Sequence, residues 1–186
     1  MAAHLSALQP HSATPQPLVR NLSASAARSP VGLVFEYRLS GKLGELALPA
    51  AGSGRRRDRL WRHSCFEAFV TRASPAAPEY LEFNFAPQGD WAAYRFGDYR
   101  EGMTPLALER APRLEARRTS EELVLTATVA LAGVATLPDG VALRVALAAV
   151  IEDGGGRLSY WALQHPPGNP DFHDAAGFLL ELDGVP

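Results

Sequence analysis

Trp61, Glu67, Asn84 and Arg95 have the types and spacing to hold a polar ligand. Trp61 stands just ahead of the stretch CFEAFV, where strand alternation puts Glu67 on one face with Cys65 and Phe69. A tryptophan at a loop–strand junction beside a carboxylate offers a flat plate for the C–H face of a sugar, and the carboxylate accepts hydrogen bonds from hydroxyls. The structural alternative is that Trp61 closes one end of the core and Glu67 pairs with an arginine. The stretch YLEFNFAPQGDWAAYRF, Tyr80 to Phe96, reads as a hairpin turning through Pro-Gln-Gly-Asp. In its second arm Tyr94 and Phe96 form the expected core set, which leaves Trp91 and Arg95 on the outer or groove face. There Arg95 either grips hydroxyls or a carboxylate with its planar fork, or bridges to Glu82 or Glu67. Asn84, on the polar face of the first arm, supplies a donor and an acceptor.

Other groupings point less far. His165, Asp171, His173 and Asp174 crowd one loop, but its prolines break any regular metal-ligand spacing, so no metal is expected. The run Arg55, Arg56, Arg57, Arg59, Arg62 with His63 surrounds Trp61 and suits single-stranded nucleic acid or a phosphorylated sugar by charge and stacking. No nucleic-acid motif accompanies it, and a formal net charge of -2 argues against a nucleic-acid footprint. The phosphate-loop, nucleophile-elbow, dinucleotide and H-E-x-x-H motifs are missing from the sequence. Glu67 and Glu82 could pair as glycosidase carboxyls, but recognition or a structural role is the expected one, and no enzyme is expected.

The elements that must position these residues are strands. Val31, Leu33, Phe35, Tyr37 and Leu39 alternate with polar or small neighbours, as do Leu81, Phe83 and Phe85, then Leu123, Leu125, Ala127 and Val129, then Val141 through Ile151. This is antiparallel-sheet patterning, with one dry face and one wetter. EDGGGRLSYWAL supplies a Gly-rich hairpin turn and FLLELD a last strand. Only Leu131 to Leu137 could form a helical turn. The fold class is all-β: an antiparallel sandwich, jelly-roll or immunoglobulin-like, of about nine to eleven strands with at most one short helix. The 186-residue chain suffices for one core. Residues 1–17, rich in Ala, Ser, Pro and His, read as a flexible N-terminal extension, and residues 18–186 as a single domain. The lone Cys65 excludes an intramolecular disulfide, the N-terminus lacks the marks of a secretory signal, and no apolar run would span a bilayer, so a cytoplasmic setting without membrane contact is expected.

Trp61 with CFEAFV, then YLEFNFAPQGDWAAYRF, then PDFHDAAGFLLEL resembles the bacterial DOMON-like domains related to family nine carbohydrate-binding modules, over roughly Pro17 to Asp183. The resemblance implies a single DOMON-like β-sandwich in which a small saccharide lies between two tryptophans while charged and amide side chains read its hydroxyls. It places Trp61 at one stacking position, Trp161 as a candidate for the second, and Glu67, Arg95 and Asn84 as hydrogen-bonding partners. His173, with Phe172, belongs to the FH…GF signal, a ligand-binding or loop-holding feature. The wider group also contains haem-binding members, for which Met103 with His173 or His63 are the available iron ligands, and accessory domains of cell-wall or sugar enzymes. A non-catalytic saccharide-binding module without cofactor is the leading expectation.

Overall fold

A computed structural model describes residues 5–49, 52–74, 78–138 and 140–184. Thirteen strands are present among them: β1 (Ser6–Ala7), β2 (Gln9–Pro10), β3 (Val19–Ser29), β4 (Gly32–Gly41), β5 (Cys65–Arg72), β6 (Tyr80–Phe85), β7 (Trp91–Phe96), β8 (Thr104–Pro105), β9 (Arg113–Arg118), β10 (Glu122–Ala130), β11 (Leu143–Glu152), β12 (Leu158–Ala162) and β13 (Leu180–Leu182). The excess over the expected number comes from two-residue strands too short to carry a period. Helical structure is limited to single 3-10 turns at Leu43–Glu45, Leu60–Arg62 and Ala175–Gly177. Leu131 to Leu137 makes two successive hydrogen-bonded turns, from Val134 N–H to Leu131 O and from Leu137 N–H to Val134 O, rather than a helix.

The strands form two antiparallel sheets packed as a sandwich. One has the order β1-β3-β4-β10-β9; the other runs β2-β12-β11-β5-β6-β7-β8, with β13 pairing to β11 beside β12. In the first sheet the expected alternation holds. Leu33, Phe35, Tyr37 and Leu39 of β4, with Leu123, Leu125, Ala127 and Val129 of β10, are buried between the sheets while their neighbours in sequence are more accessible. Val31 does not belong to that row. It lies 59% exposed in the β3–β4 turn, and the strand starts at Gly32, where a Cβ would meet the Val129 carbonyl at 2.1 Å.

The second sheet departs from the dry-and-wet pattern, because β5, β6 and β11 are buried on both faces. The inner row includes Phe66, Ala68, Val70, Leu81, Phe83, Phe85, Leu147 and Ile151 and meets the first sheet. The outer row, with Phe69, Tyr80, Ala92, Tyr94, Phe96, Ala146, Ala148 and Ala162, forms a separate apolar cluster covered by Leu60, Trp61, Phe172 and Phe178 from loops. The loops that carry Trp61 and Phe172 therefore fold back over the sheet.

The N-terminal segment corrects another expectation. Residues 1–4 lie outside the described residues, but the following ones are docked rather than free. Ser6 and Ala7 pair with Ala24 and Ser23 in one sheet, and Gln9 and Pro10 pair with Ala162 and Trp161 in the other. Leu8, between them, is 3% exposed, and His11 Nε2–H donates to Gly168 O at 3.0 Å. Pairing through the backbone anchors a segment whose composition offers few apolar anchors, and Pro10 is tolerated on an edge strand. Leu8→Ala should therefore cost about 2–4 kcal/mol and lower the melting temperature by roughly 5–10 °C. Calorimetric scans of parent and variant check this, and an unchanged midpoint would show that the docked segment contributes nothing.

Candidate functional site

A cavity of about 370 Å³ opens on the outer face of the eight-stranded sheet. Its floor comes from strands: Glu67 of β5, Glu82 of β6, Phe96 of β7, Val150 of β11 and Tyr160 of β12. Its walls come from loops: Trp61, Arg100, Met103, Pro170, Phe172 and His173. Register explains the trough. Ala162, Ala148, Glu67, Asn84 and Ala92 align across neighbouring strands, and the next row runs Ala146, Phe69, Glu82, Tyr94. Glu67 and Glu82 are thus diagonal neighbours on one face, and the alanines beside them leave room above the carboxyls.

Asp90, in the β6–β7 turn, holds the first loop. It accepts from Ser53 N–H (3.1 Å), Ser53 Oγ (2.9 Å), Arg55 N–H (3.1 Å) and Arg57 Nη1 (3.3 Å). Burial opposes its ionisation, but these bonds hold its carboxyl below the usual range. Arg56 donates to Leu106 O and Ala93 O and lies over the rings of Trp91 and Tyr94. Three members of the basic run are thus tied into the loop's attachment, Arg55 through its backbone and Arg56 and Arg57 through their side chains. Arg59 then adopts φ 64°, turning the chain into the 3-10 turn that carries Trp61, whose ring meets Tyr94 edge-on at 5.6 Å. Arg59 and Arg100, with φ 55°, are the positive-φ non-glycine residues among the described residues; Arg100 lines the cavity, and Arg59 leads into the turn that carries Trp61. Such backbone persists where surrounding contacts over-determine it.

The second loop is fastened from the opposite side. Asp171 accepts from Arg100 Nη2 (2.8 Å) and Nε (3.2 Å), from His173 N–H (3.0 Å) and from the Tyr99 hydroxyl. His173 packs its ring at 5.1 Å from both Phe69 and Phe96. Burial, with Arg100 nearby, pushes its imidazole down to about 4. The Tyr80 hydroxyl accepts from Arg100 N–H at 3.2 Å and is hydrogen-bonded to His173 Nδ1 at 2.7 Å. A neutral imidazole accepting at Nδ1 carries its hydrogen on Nε2, and Nε2 lies 4.0 Å from Glu82 Oε2. That contact is too long for a hydrogen bond, and with a neutral imidazole it is no ion pair.

The carboxyls are the least satisfied polar groups here. Glu67 is 3% and Glu82 4% exposed. Burial pushes Glu82 up to about 7 despite a 2.5 Å hydrogen bond from Asn84 Nδ2 to its Oε1 and the nearby Arg100 charge. Burial, and then the neighbouring Glu82, pushes Glu67 well above its usual range. Glu67 Oε1 is buried with no hydrogen-bond partner among the described residues.

Of the residues expected to bind, Trp61, Glu67 and His173 come together around the cavity. Asn84 lies beneath it, fully buried, donating to Glu82 and accepting from Cys65 Sγ at 3.3 Å. Arg95 and Trp161 do not join them. In β7 the facing is the reverse of the expected one: Trp91 and Ala93 pack between the sheets, while Tyr94 and Phe96 face outward under the loops. Arg95 shares the Trp91 parity at the strand's end and pairs with Glu79, rather than with Glu82 or Glu67. Trp161, 5% exposed, faces the inter-sheet core, and its Nε1–H donates to Ser159 Oγ at 3.0 Å, so it cannot form a second plate opposite Trp61. Sequence reasoning overlooked Tyr160 and Arg100 as cavity residues, while Phe172 was singled out with His173 through the FH…GF signal. The parity of Tyr160 opposite to Trp161 was a usable signal, whereas nothing local marks Arg100.

Among the described residues no group of His, Cys, Asp and Glu side chains could hold a metal ion. The crowded histidines and aspartates have other partners: His165 Nε2–H donates to Gln9 O, and Asp174 accepts from Ala176 N–H. Of the haem-ligand candidates, Met103 and His173 line the cavity, while His63 Nδ1 bonds Glu152 at 2.8 Å.

No family model matches the chain, and no curated protein matches it in sequence. Solved structures do match its fold. A candidate carbohydrate-binding protein from Bacteroides uniformis aligns with a TM-score of 0.72 at 15% identity, over 97% of this chain and 86% of that one. A family 9 carbohydrate-binding module from Caldicellulosiruptor kristjanssonii in complex with glucose aligns at 0.57 and 16% identity, over 97% and 83%. A family 9 module from the same organism in complex with cellotriose aligns at 0.55 and 15% identity, over 97% and 82%. The chain shares the β-sandwich fold of these proteins, while the DOMON-like label rests on the sequence motifs alone.

The buried carboxyl pair makes a pH-dependent prediction. Between pH 4.5, the ordinary value, and about 7 the unfolded chain has released the Glu82 proton and the folded chain retains it. Parent stability must then fall, relative to Glu82→Gln, as pH rises through this window, by on the order of 3 kcal/mol. His173, depressed in the fold, acts in the opposite sense as pH falls below 6.5, and it cancels in the difference between parent and variant. Urea unfolding of both proteins at pH 4.5 and pH 8 measures the effect. A stability difference that does not change with pH would contradict the assignment.

Proposed function

We propose that the chain is a non-catalytic saccharide-binding module whose ligand seats in the outer-face cavity. The observation that carries this reading is the combination of aromatic surfaces, Trp61, Phe96, Tyr160 and Phe172, with the buried polar groups of Glu67, Glu82 and His173 in one cavity. Apolar faces for ring C–H groups and a few convergent polar atoms for hydroxyls are what a small sugar requires. The shared sandwich, in family 9 modules that hold glucose and cellotriose, supports the same class of ligand. Trp61 supplies the stacking plate, Glu67 and Glu82 accept or share protons with hydroxyls, and His173 Nε2–H donates. Asn84 acts through Glu82.

Two rival uses of the site fit its chemistry less well. Glycoside hydrolysis by a carboxyl pair requires one member to be ionised as nucleophile or base, whereas burial drives both Glu67 and Glu82 toward the neutral form. An iron would need the Nε2 lone pair of His173, which carries the proton when Tyr80 donates to Nδ1.

Titration calorimetry with glucose and cellotriose tests the proposal. Trp61→Ala should weaken binding by about 1–3 kcal/mol, as for an aromatic anchor. Arg95→Ala, paired with Glu79 away from the cavity, should leave affinity unchanged. A parent protein inert to both sugars, or equal losses in the two variants, would overturn it.

A further inference from the structure

Resting on the saccharide reading of this cavity, we propose that its preferred ligand carries a protonated amine: an amino sugar whose ammonium group seats against Glu67 and Glu82. Arg100 is matched by Asp171 at 2.8 Å, leaving the two floor carboxyls without a cation among the described residues that line the cavity. Asn84 serves one oxygen of Glu82, and no side chain serves Glu67 Oε1, in a residue 3% exposed. Glu82 Oε2 lies 4.0 Å from His173 Nε2, too far for a hydrogen bond.

A buried acceptor without a donor is costly, and a pair of such carboxyls costs more because each opposes ionisation of the other. An ammonium group has three donors and no acceptor, which matches a floor that offers acceptors; a hydroxyl supplies one donor and no charge. The aromatic rings of Trp61, Phe96 and Tyr160 around the cavity add favourable surroundings for a cation.

The other titratable groups facing the pair do not compete for the charge. Burial pushes Cys65, Tyr80 and Tyr94 up, and the Tyr37 hydroxyl donates to Glu67 O at 2.7 Å from the inner side. All are neutral near pH 7, as is His173. A bound ammonium would therefore displace a proton held by the carboxyl pair.

Calorimetry at pH 7 with D-glucosamine, D-glucose and N-acetyl-D-glucosamine tests this. Glucosamine should bind the parent roughly tenfold or more tightly than glucose, the change expected of a charge-assisted hydrogen bond. N-acetylation, which removes the charge, should abolish the advantage. Titrations in two buffers of different ionisation enthalpy should show proton release with glucosamine and none with glucose. In Glu67→Gln the preference for glucosamine over glucose should collapse; should that variant fail to fold, Glu82→Gln and the proton release of the parent decide. Glucose bound as tightly as glucosamine overturns the amine proposal and leaves the saccharide reading standing. A protein inert to all three sugars overturns both.

Discussion

Two carboxyl groups buried side by side on one sheet face set the terms for the rest of this molecule. Glu67 and Glu82 would normally sit in water, since the face of β5 and β6 that carries them alternates with a fully apolar one. Here loops cover that face and each carboxyl is nearly inaccessible. Burial of a carboxylate without a matching cation is expensive enough that the group prefers its proton. The fold tolerates the pair by keeping it largely neutral, by giving Glu82 one strong bond from Asn84, and by leaving an open volume above it.

The covering loops need anchors of their own, which are placed where they do not neutralise the floor. Asp90 gathers the backbone and side chains of Ser53, Arg55 and Arg57 at one side, and Asp171 gathers Arg100, Tyr99 and the His173 backbone at the other. Cationic side chains near the cavity thereby meet aspartates in the loops, and the acidic floor remains available to a ligand. Beneath it, the inter-sheet core of phenylalanines and aliphatic residues fixes the positions of β5, β6 and β11.

Much of this was legible in the sequence where burial is one-sided. The alternation in β4 and β10 survives intact because one face of each strand meets the opposite sheet while the other is more open. Trp61 and Glu67 could be singled out because a tryptophan outside the strand period and an acid within it are each unusual. β7 could not be read the same way, since both of its faces are buried and both carry aromatics, so parity alone could not tell Trp91 from Tyr94. Trp161 misled because the resemblance put it forward, whereas its place in β12 turns it into the inter-sheet core. The docking of residues 6–11 was invisible because it depends on backbone pairing to two sheet edges, and Arg100 was missed because its role depends on Asp171, far along the chain.

The central claim is that the buried Glu67–Glu82 pair is the polar floor of a ligand site. Carbon-13 NMR of side-chain carboxyl carbons in selectively labelled glutamate observes the pair directly, with and without added saccharide. Two carboxyl resonances, assigned by Glu67→Gln and Glu82→Gln, should titrate above the ordinary glutamate range and shift when sugar is added. Ordinary titration of both carboxyls, or sugar-induced shifts confined to other glutamates, would contradict it.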